Sequence, residues 1–323
     1  MSGRIPSPVL VVLGASLFGT IGTARVLGPD APAAGVGALR MLGAAVVLAL
    51  LAGRGPGRTW LADLRRPDTL LAGRGRGGAW SAELRRPHTL LAGVAQALFQ
   101  LTFLAAVVET GVAVGTLVAI GSTPLLAGAV SRRVSRGWAL ATAVAVVGLV
   151  LLVLGGGGAR LSAVGVALAL GAGASYAGYT VATARALRDG AEPGVTAAVT
   201  FAVAGTVLLP ALALTDLGWV GSASGLLMVA YLALVPTVLA YRLFTAGLAG
   251  VPPATASTLA LAEPVVATVL GVAVLGERLG ALGWAGAALV LAGLVLAARD
   301  AVGPQRPDRA PLKSEPARPG TDA

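Results

Sequence analysis

The chain contains no cysteine and a single histidine, His88, among its 323 residues. Without cysteine, disulfides, thiolate chemistry and cysteine metal sites are excluded. One histidine leaves little for a metal enzyme, and we predict no catalytic residue, no metal site and no cofactor. Charged residues make up only 12% of the chain, whereas soluble proteins carry about 25%. A water-soluble globular domain is therefore excluded as well.

The sequence is instead dominated by long apolar runs. Hydrophobic residues are 56% of the chain and the mean hydropathy is +0.84. A membrane core about 30 Å thick needs about 20 apolar helical residues. Runs of that length recur ten times, at 8–26, 33–53, 89–108, 112–130, 137–154, 162–183, 195–214, 224–247, 254–275 and 281–298. We predict an all-α membrane protein with ten transmembrane helices.

The distribution of basic residues predicts how these helices are oriented. The net charge is +10. If the N-terminus is cytoplasmic, 19 of the 24 basic residues fall in inner segments and three in outer ones. Such an excess follows the positive-inside rule, and it predicts a multi-pass protein of the cell membrane with both termini cytoplasmic. Topology accounts for the arginines, so we do not assign nucleic acid as a partner.

Two kinds of repeat occur within the chain. Residues 50–69 are followed directly by 70–89, with 14 of 20 positions identical, which lengthens one basic cytoplasmic loop. This is either a tolerated local duplication or a regulatory or lipid-headgroup segment. A weaker repeat places Pro124 and Pro264 in the fourth and ninth spans, which suggests two halves of five spans. Because five is odd, the second half runs through the membrane inverted, which is a transporter architecture.

The second half carries motifs of a known family. The segments Thr258-Leu-Ala-Leu-Ala-Glu263-Pro264-Val, Leu275-Gly276-Glu277-Arg278-Leu279 and 286–293 resemble the end of an EamA repeat of the drug/metabolite transporter superfamily. Arg40-Met41 and the Tyr241-to-Phe244 run match two further family positions. The first half departs from the pattern, because Thr123 precedes Pro124 where many members carry glutamate. The resemblance implies a ten-helix secondary transporter, often an exporter of amino acids, metabolites or drugs.

Two charged residues lie deep in the predicted spans and are functional candidates, since a charge at membrane depth costs several kcal/mol. Arg40 lies about seven residues, roughly 10 Å, into span two. It would pair with an anionic substrate group or an internal carboxylate, or else clasp a neighbouring helix. Glu263 lies near the midplane beside Pro264, whose ring frees a backbone carbonyl. Glu263 would couple transport to protons or bind a substrate amine, or else be a packing carboxyl.

Neutral polar residues form stripes on single helical faces. Gln96 and Gln100 are four residues apart, and Tyr176 begins a similar stripe. Such residues face the bundle interior rather than lipid, where they either pack or line a pathway. We therefore predict that a substrate site or pathway includes Arg40, Gln96, Gln100, Tyr176 and Glu263. Pro124 and Pro264 are predicted to break their helices at the cavity.

These observations predict an integral membrane secondary transporter, an exporter of small metabolites, amino acids or drug-like compounds that works by alternating access. A membrane-embedded enzyme and a non-transporting scaffold are the alternatives. The partners are a small-molecule substrate, the lipid bilayer and, if transport is coupled, protons. Whether the protein is a monomer or a homodimer stays open. The predicted organisation is a cytoplasmic N-terminus at 1–7, repeats at 8–154 and 159–298, and a disordered tail at 299–323.

Overall fold

The computed structural model describes residues 5–52, 77–131, 134–156 and 162–302. Over these ranges the chain is helical and contains no strand. Ten helices are long and apolar enough to cross a membrane. In chain order they are α1 (Ser7–Leu27), α2 (Ala33–Leu51), α3 (Pro87–Gly111), α4 (Val114–Ser131), α5 (Arg136–Gly155), α6 (Ala163–Arg188), α7 (Pro193–Ala213), α8 (Ala223–Leu248), α9 (Pro253–Leu275) and α10 (Ala281–Val302).

The ten predicted spans are confirmed, with small shifts at their ends. The helix α10 continues to Val302, beyond residue 298 where the sequence suggested its end. The remainder of the predicted tail lies outside the described residues, as does the loop from 53 to 76. Within the second copy of the duplication, a short helix, Gly77–Leu84, precedes α3. This copy is therefore not simply loop, contrary to what its Gly, Pro and Arg content suggested.

Hydrogen bonds from side chains to backbone mark where several helices begin. Ser162 accepts from the Gly165 N–H at the start of α6, and Ser222 accepts from the Gly225 N–H at the start of α8. Glu192, which precedes α7, accepts from two backbone N–H groups of its first turn. Pro193 is the first helical residue. The first N–H groups of a helix have no partner within the helix, so these caps determine where each span starts.

Three helices are interrupted within the described residues, and each interruption has a local cause. Gly19 separates two segments of α1, whereas Gly111, with φ of 81°, is the residue at which α3 ends. In α8 a wider turn spans Leu234–Leu239 around Pro236, where the Thr237 hydroxyl donates to the Leu232 carbonyl. Proline removes one helical hydrogen bond and clashes with the preceding turn, so a wider turn forms there. The third interruption, in α9, lies within the candidate site described below.

The two halves of the chain use the same main helix pairings. If each helix is matched to the one five spans away, so that α1 corresponds to α6, each of these pairings has a counterpart. Thus α1 packs on α8 and α9, while α6 packs on α3 and α4; α2 packs on α7, and α5 on α10. This is the pattern that two five-helix repeats predict. Glycines bring some pairs into backbone contact: a Cβ on Gly148 of α5 would lie 2.5 Å from the Val290 nitrogen of α10. Small residues allow such close approach in membranes.

The outer surface of the bundle is apolar. Large aliphatic side chains there are more than half exposed, among them Val108 of α3, Leu140 of α5 and Leu227 of α8. In water an apolar surface of this extent would mark a binding face. On helices of this length it is the surface that contacts lipid. Polar side chains are correspondingly turned inward, where the candidate site lies.

Candidate functional site

Arg40 is buried between α2 and α3 and bonded to one of the predicted glutamines. Its Nη2 donates to Gln100 Oε1 at 2.9 Å, and only 7% of the residue is exposed. The approach is close, because a Cβ on Gly37 of α2 would lie 2.5 Å from Gln100 Nε2. Arg40 thus joins α2 to α3 through a side-chain amide, and not through backbone carbonyls. This bond leaves Arg40 Nε buried without a hydrogen-bond partner, so the guanidinium retains a free donor.

Glu263 lies where α9 is broken. The helix runs from Pro253 to Leu259, turns at residues 260–261, and resumes over Ala262–Leu275. Glu263 is thus in the first turn of the second half, where the helix dipole favours negative charge. Its side chain is partly exposed and accepts no hydrogen bond within the described residues. It is close enough to Arg40 for the two charges to interact electrostatically, although no ion pair joins them in the part of the chain that the structure describes.

Tyr241 of α8 connects this charge pair to the other predicted glutamine. Gln96 Nε2 donates to the Tyr241 hydroxyl at 2.9 Å, and Gln96 is fully buried. Tyr241 also interacts electrostatically with both Arg40 and Glu263. Consequently α2, α3, α8 and α9 each contribute a polar group to one cluster. Gln96 Oε1 has no hydrogen-bond partner in this arrangement, and a buried amide oxygen without one is costly.

The aromatic residues are concentrated at the same place. The chain has five phenylalanines and four tyrosines, and all of these except Tyr231 form one contiguous set of ring contacts. Ring centroids lie 4.5–6.5 Å apart along this set, which consists of Phe18, Phe99, Phe103, Tyr176, Tyr179, Phe201, Tyr241 and Phe244. Tyr176 adds a buried hydroxyl without a partner. We call these eight rings the aromatic cluster.

Chemically, the arrangement can bind a small molecule that has both polar and apolar parts. A guanidinium N–H, an amide oxygen and a phenol hydroxyl are buried and unpartnered, on Arg40, Gln96 and Tyr176. The carboxylate of Glu263 adds an acceptor, and the aromatic cluster supplies an apolar wall. Ligand sites commonly combine a few placed polar groups with aromatic side chains.

The predicted site residues are brought together to different extents. Arg40 bonds to Gln100 and Gln96 bonds to Tyr241, Glu263 interacts electrostatically with Arg40 and Tyr241, and Tyr176 joins them through the aromatic cluster. The helix α9 is broken at residues 260–261 rather than at Pro264, which lies in the first turn of the second half, where a proline needs no N–H. Pro124 does not break α4, which continues through it. Beside it the Thr123 hydroxyl donates to the Ala119 carbonyl at 2.8 Å and to the Gly173 carbonyl of α6 at 3.4 Å, which anchors that turn.

Two residues at the centre of the cluster, Tyr241 and Phe201, were not among the predicted site residues. Tyr241 belongs to the run that resembles the family motif, and that was the available signal. Phe201 contacts Tyr241 with ring centroids 4.5 Å apart, but it lies in an apolar span with no charged residue near it in sequence to distinguish it. Its contact with Tyr241 could be identified only from the packing of α7 against α8 in the structure.

Comparisons with known proteins match a family, a curated relative and a solved structure. The EamA-like transporter family matches residues 163–299. The chain is 38% identical over 305 residues to the uncharacterized transporter YwfM of Bacillus subtilis (strain 168), covering 92% of this chain and 94% of that protein. A solved crystal structure described only as that of a protein shares the fold, with a TM-score of 0.69, 20% identity, and coverage of 90% of this chain and 96% of that one.

The identity to YwfM extends over both halves of the chain, including the first half, where the motifs are weaker. Together with ten apolar helices, these matches show a multi-pass membrane transporter and point away from an enzyme. The chain belongs to the EamA-like transporter family.

Proposed function

We propose that the protein is a secondary transporter that exports small metabolites, amino acids or drug-like compounds by alternating access. One observation supports this proposal: Arg40 and Glu263, residues of opposite charge within two of the apolar helices, interact electrostatically near polar atoms without partners. Charges inside a membrane are costly and characteristically line substrate or ion pathways. A broken helix at such a site is typical of secondary transporters.

The groups of the site suit a substrate with an anionic end and an apolar body. The unpartnered N–H of Arg40 is a donor for a carboxylate, and a charge-assisted hydrogen bond is among the stronger polar contacts. Glu263 has two candidate roles, which are to bind a substrate amine and to carry a proton. The aromatic cluster would contact the apolar part. Gln96 and Tyr176 would fix orientation through their open hydrogen-bonding atoms.

The proposed placement in the cell defines which side of the bundle export would start from. The excess of basic residues in the inner segments supports a cell-membrane location with both termini in the cytoplasm. Export then means movement from the side of the arginine-rich loops to the side of the short connections, such as the one between α9 and α10.

The test is transport by the purified protein in liposomes, with a panel of amino acids, small organic acids and amines, with and without a pH gradient. We expect the parent to move at least one class of compound. The Glu263→Gln variant keeps the shape of the side chain but cannot titrate, so transport should be weak or should no longer respond to the gradient. Glu109→Gln, at an exposed carboxylate on α3, is the matched control.

Two outcomes would contradict the proposal. If the parent moves no compound while it is folded and inserted, secondary transport is not its activity under any condition of the panel. If Glu263→Gln transports like the parent from pH 5.5 to 8, then Glu263 is a packing residue and the proton-coupling role is wrong.

A further inference from the structure

A buried carboxylate lies outside the site described above, in the short helix that precedes α3. Glu83 is 3% exposed and belongs to the second copy of the 20-residue duplication. Its Oε1 accepts from the Thr89 hydroxyl at 2.5 Å and from the Thr196 hydroxyl of α7 at 3.0 Å. Its Oε2 lies 3.1 Å from Arg86 Nε. Both carboxylate oxygens are therefore engaged, and one of them connects to a helix more than 100 residues away.

The same segment also contacts the turn between α6 and α7. Arg86 Nη1 donates to the Asp189 carbonyl at 2.9 Å, and His88 Nε2 lies 3.8 Å from Asp189 Oδ2. The start of α3 is thus joined to the end of α6 and the start of α7 through two routes. We call Glu83, Arg86, Thr89, Asp189 and Thr196 the inner network, since these ends are cytoplasmic in the proposed topology.

The sequence explains why the second copy is suited to this contact. The first copy offers almost the same groups, with Asp63, Arg66 and Thr69 at the corresponding positions. After Thr89 the chain continues as an apolar span, whereas after Thr69 it runs into residues 70–89, which contain four arginines. A charged run cannot continue into the membrane as a helix. The second copy can therefore both lead directly into α3 and contact α7.

The corresponding contact at the opposite end of the bundle has a different chemistry. Under the five-span correspondence, the contact of α3 with α7 matches that of α8 with α2. There Met228 of α8 packs with Ala31 and Val36 at the start of α2, and the side chain of Arg25 in α1 donates to the Ala31 carbonyl at 3.0 Å. Alternating access requires the two ends of the bundle to open in turn around a central site. The outer contact is mainly apolar packing, whereas a buried carboxylate joins the helices at the inner one.

We propose that the inner network is a latch that closes the cytoplasmic side of the transporter and must be released in each transport cycle. The proposal rests on the proposed function, because a latch has a task only if access alternates. It assigns Glu83 as a positioning residue that acts through α7 and does not contact substrate. A purely structural anchor would never open, and this difference is measurable.

The first test measures opening without using a substrate. The chain has no native cysteine, so Thr200→Cys gives a single thiol. Thr200 is buried one turn beyond Thr196, and a Cβ on Gly93 of α3 would lie 2.9 Å from its carbonyl. If the latch is removed and α7 separates from α3, the thiol of Thr200→Cys should become accessible to a reagent in the water on the cytoplasmic side. In inside-out vesicles with a membrane-impermeant maleimide, adding Glu83→Gln should speed labelling about tenfold or more, as expected when charge-assisted hydrogen bonds are lost.

Controls keep this measurement interpretable. Glu109→Gln changes a glutamate at the opposite end of α3, and it should leave labelling of Thr200→Cys as slow as in the single variant. Thr196→Val removes one hydroxyl of the latch at nearly constant volume. It replaces Glu83→Gln in the labelling test if Glu83→Gln does not insert into the membrane. Equal labelling rates with and without either latch variant would overturn the proposal.

The second test locks the latch. Thr89 and Thr196 donate to the same oxygen, so cysteines at both positions lie within reach of a short, reducible bis-methanethiosulfonate linker. Cross-linking the double variant should reduce transport at least tenfold, and reductant should restore it. Full transport by the cross-linked protein would show that the contact is a static anchor. If the parent itself transports nothing, the proposed function fails, while the labelling test still reports on the latch.

Discussion

The contact between α1 and α9 beside Glu263 makes a quantitative prediction. A Cβ on Gly19 would lie 2.6 Å from the Glu263 carbonyl oxygen and 2.9 Å from the Ala267 nitrogen. Normal contact needs about 3.5 Å, so Gly19→Ala must displace α1 from α9 by about 1 Å. The clashing atoms are backbone and cannot rotate away. Overpacking of this kind costs about 1–3 kcal/mol, and a displacement next to Glu263 should also lower transport.

Gly22 provides a matched control one turn further along the same helix. A Cβ there would meet nothing within 4 Å. Both substitutions gain the helix preference of alanine over glycine, about 1 kcal/mol, and Gly19 has a right-handed helical conformation that alanine also adopts. That preference therefore cancels when the two variants are compared. The remaining difference in their stability is the cost of overpacking at Gly19.

Thermal unfolding of the purified variants in detergent is the measurement. We expect Gly22→Ala to unfold at or slightly above the temperature of the parent and Gly19→Ala clearly below it. Substrate transport should fall in Gly19→Ala only. If the two variants unfold at the same temperature, the close approach of α1 to α9 is wrong, and with it the placement of Glu263 against α1.

Three further predictions concern orientation, the duplication and Arg40. A reporter active only in the periplasm should be silent when fused at residue 323 and active within 215–222, and activity at 323 would contradict the topology. Deleting residues 70–89 should leave a folded, inserted protein, because Asp63, Arg66 and Thr69 then replace the second copy; failure to insert would show that the exact second copy is required. Arg40→Gln should raise the substrate concentration for half-maximal transport about tenfold or more, since a hydrogen bond to a charged group is worth about 1.5–3 kcal/mol, and an unchanged value would remove Arg40 from the binding site.

The positions of the spans could be predicted from sequence, whereas the pairing of side chains across helices could not. Length and apolar composition suffice to locate a membrane helix. Arg40 and Gln100 are 60 residues apart, and Gln96 and Tyr241 are 145 apart. Their hydrogen bonds depend on the rotation of each helix about its axis. Polar stripes indicate which face is interior, but they do not identify the partner across the interface.

The same limit explains why Glu83 was not predicted as a buried residue. It lies in a segment rich in glycine and arginine, a composition typical of loops. Its burial comes from Thr196, which is supplied by a helix distant in sequence. The signal in the chain was indirect: the second copy of the duplication, unlike the first, runs directly into an apolar span, so its end had to be held at the membrane surface.

The two halves of the protein share a packing pattern but differ where chemistry is expected. At matching positions, Pro264 lies just after a helix break with a carboxylate beside it, whereas Pro124 lies in a continuous helix next to Thr123. A hydroxyl can satisfy the backbone locally, as Thr123 does with the Ala119 carbonyl, but it cannot carry charge. A carboxylate that accepts no hydrogen bond within the described residues remains available for a substrate amine or a proton. The first half supplies Arg40 and the second half Glu263, so the binding chemistry we propose needs both halves, while any coupling to protons depends on α9 alone.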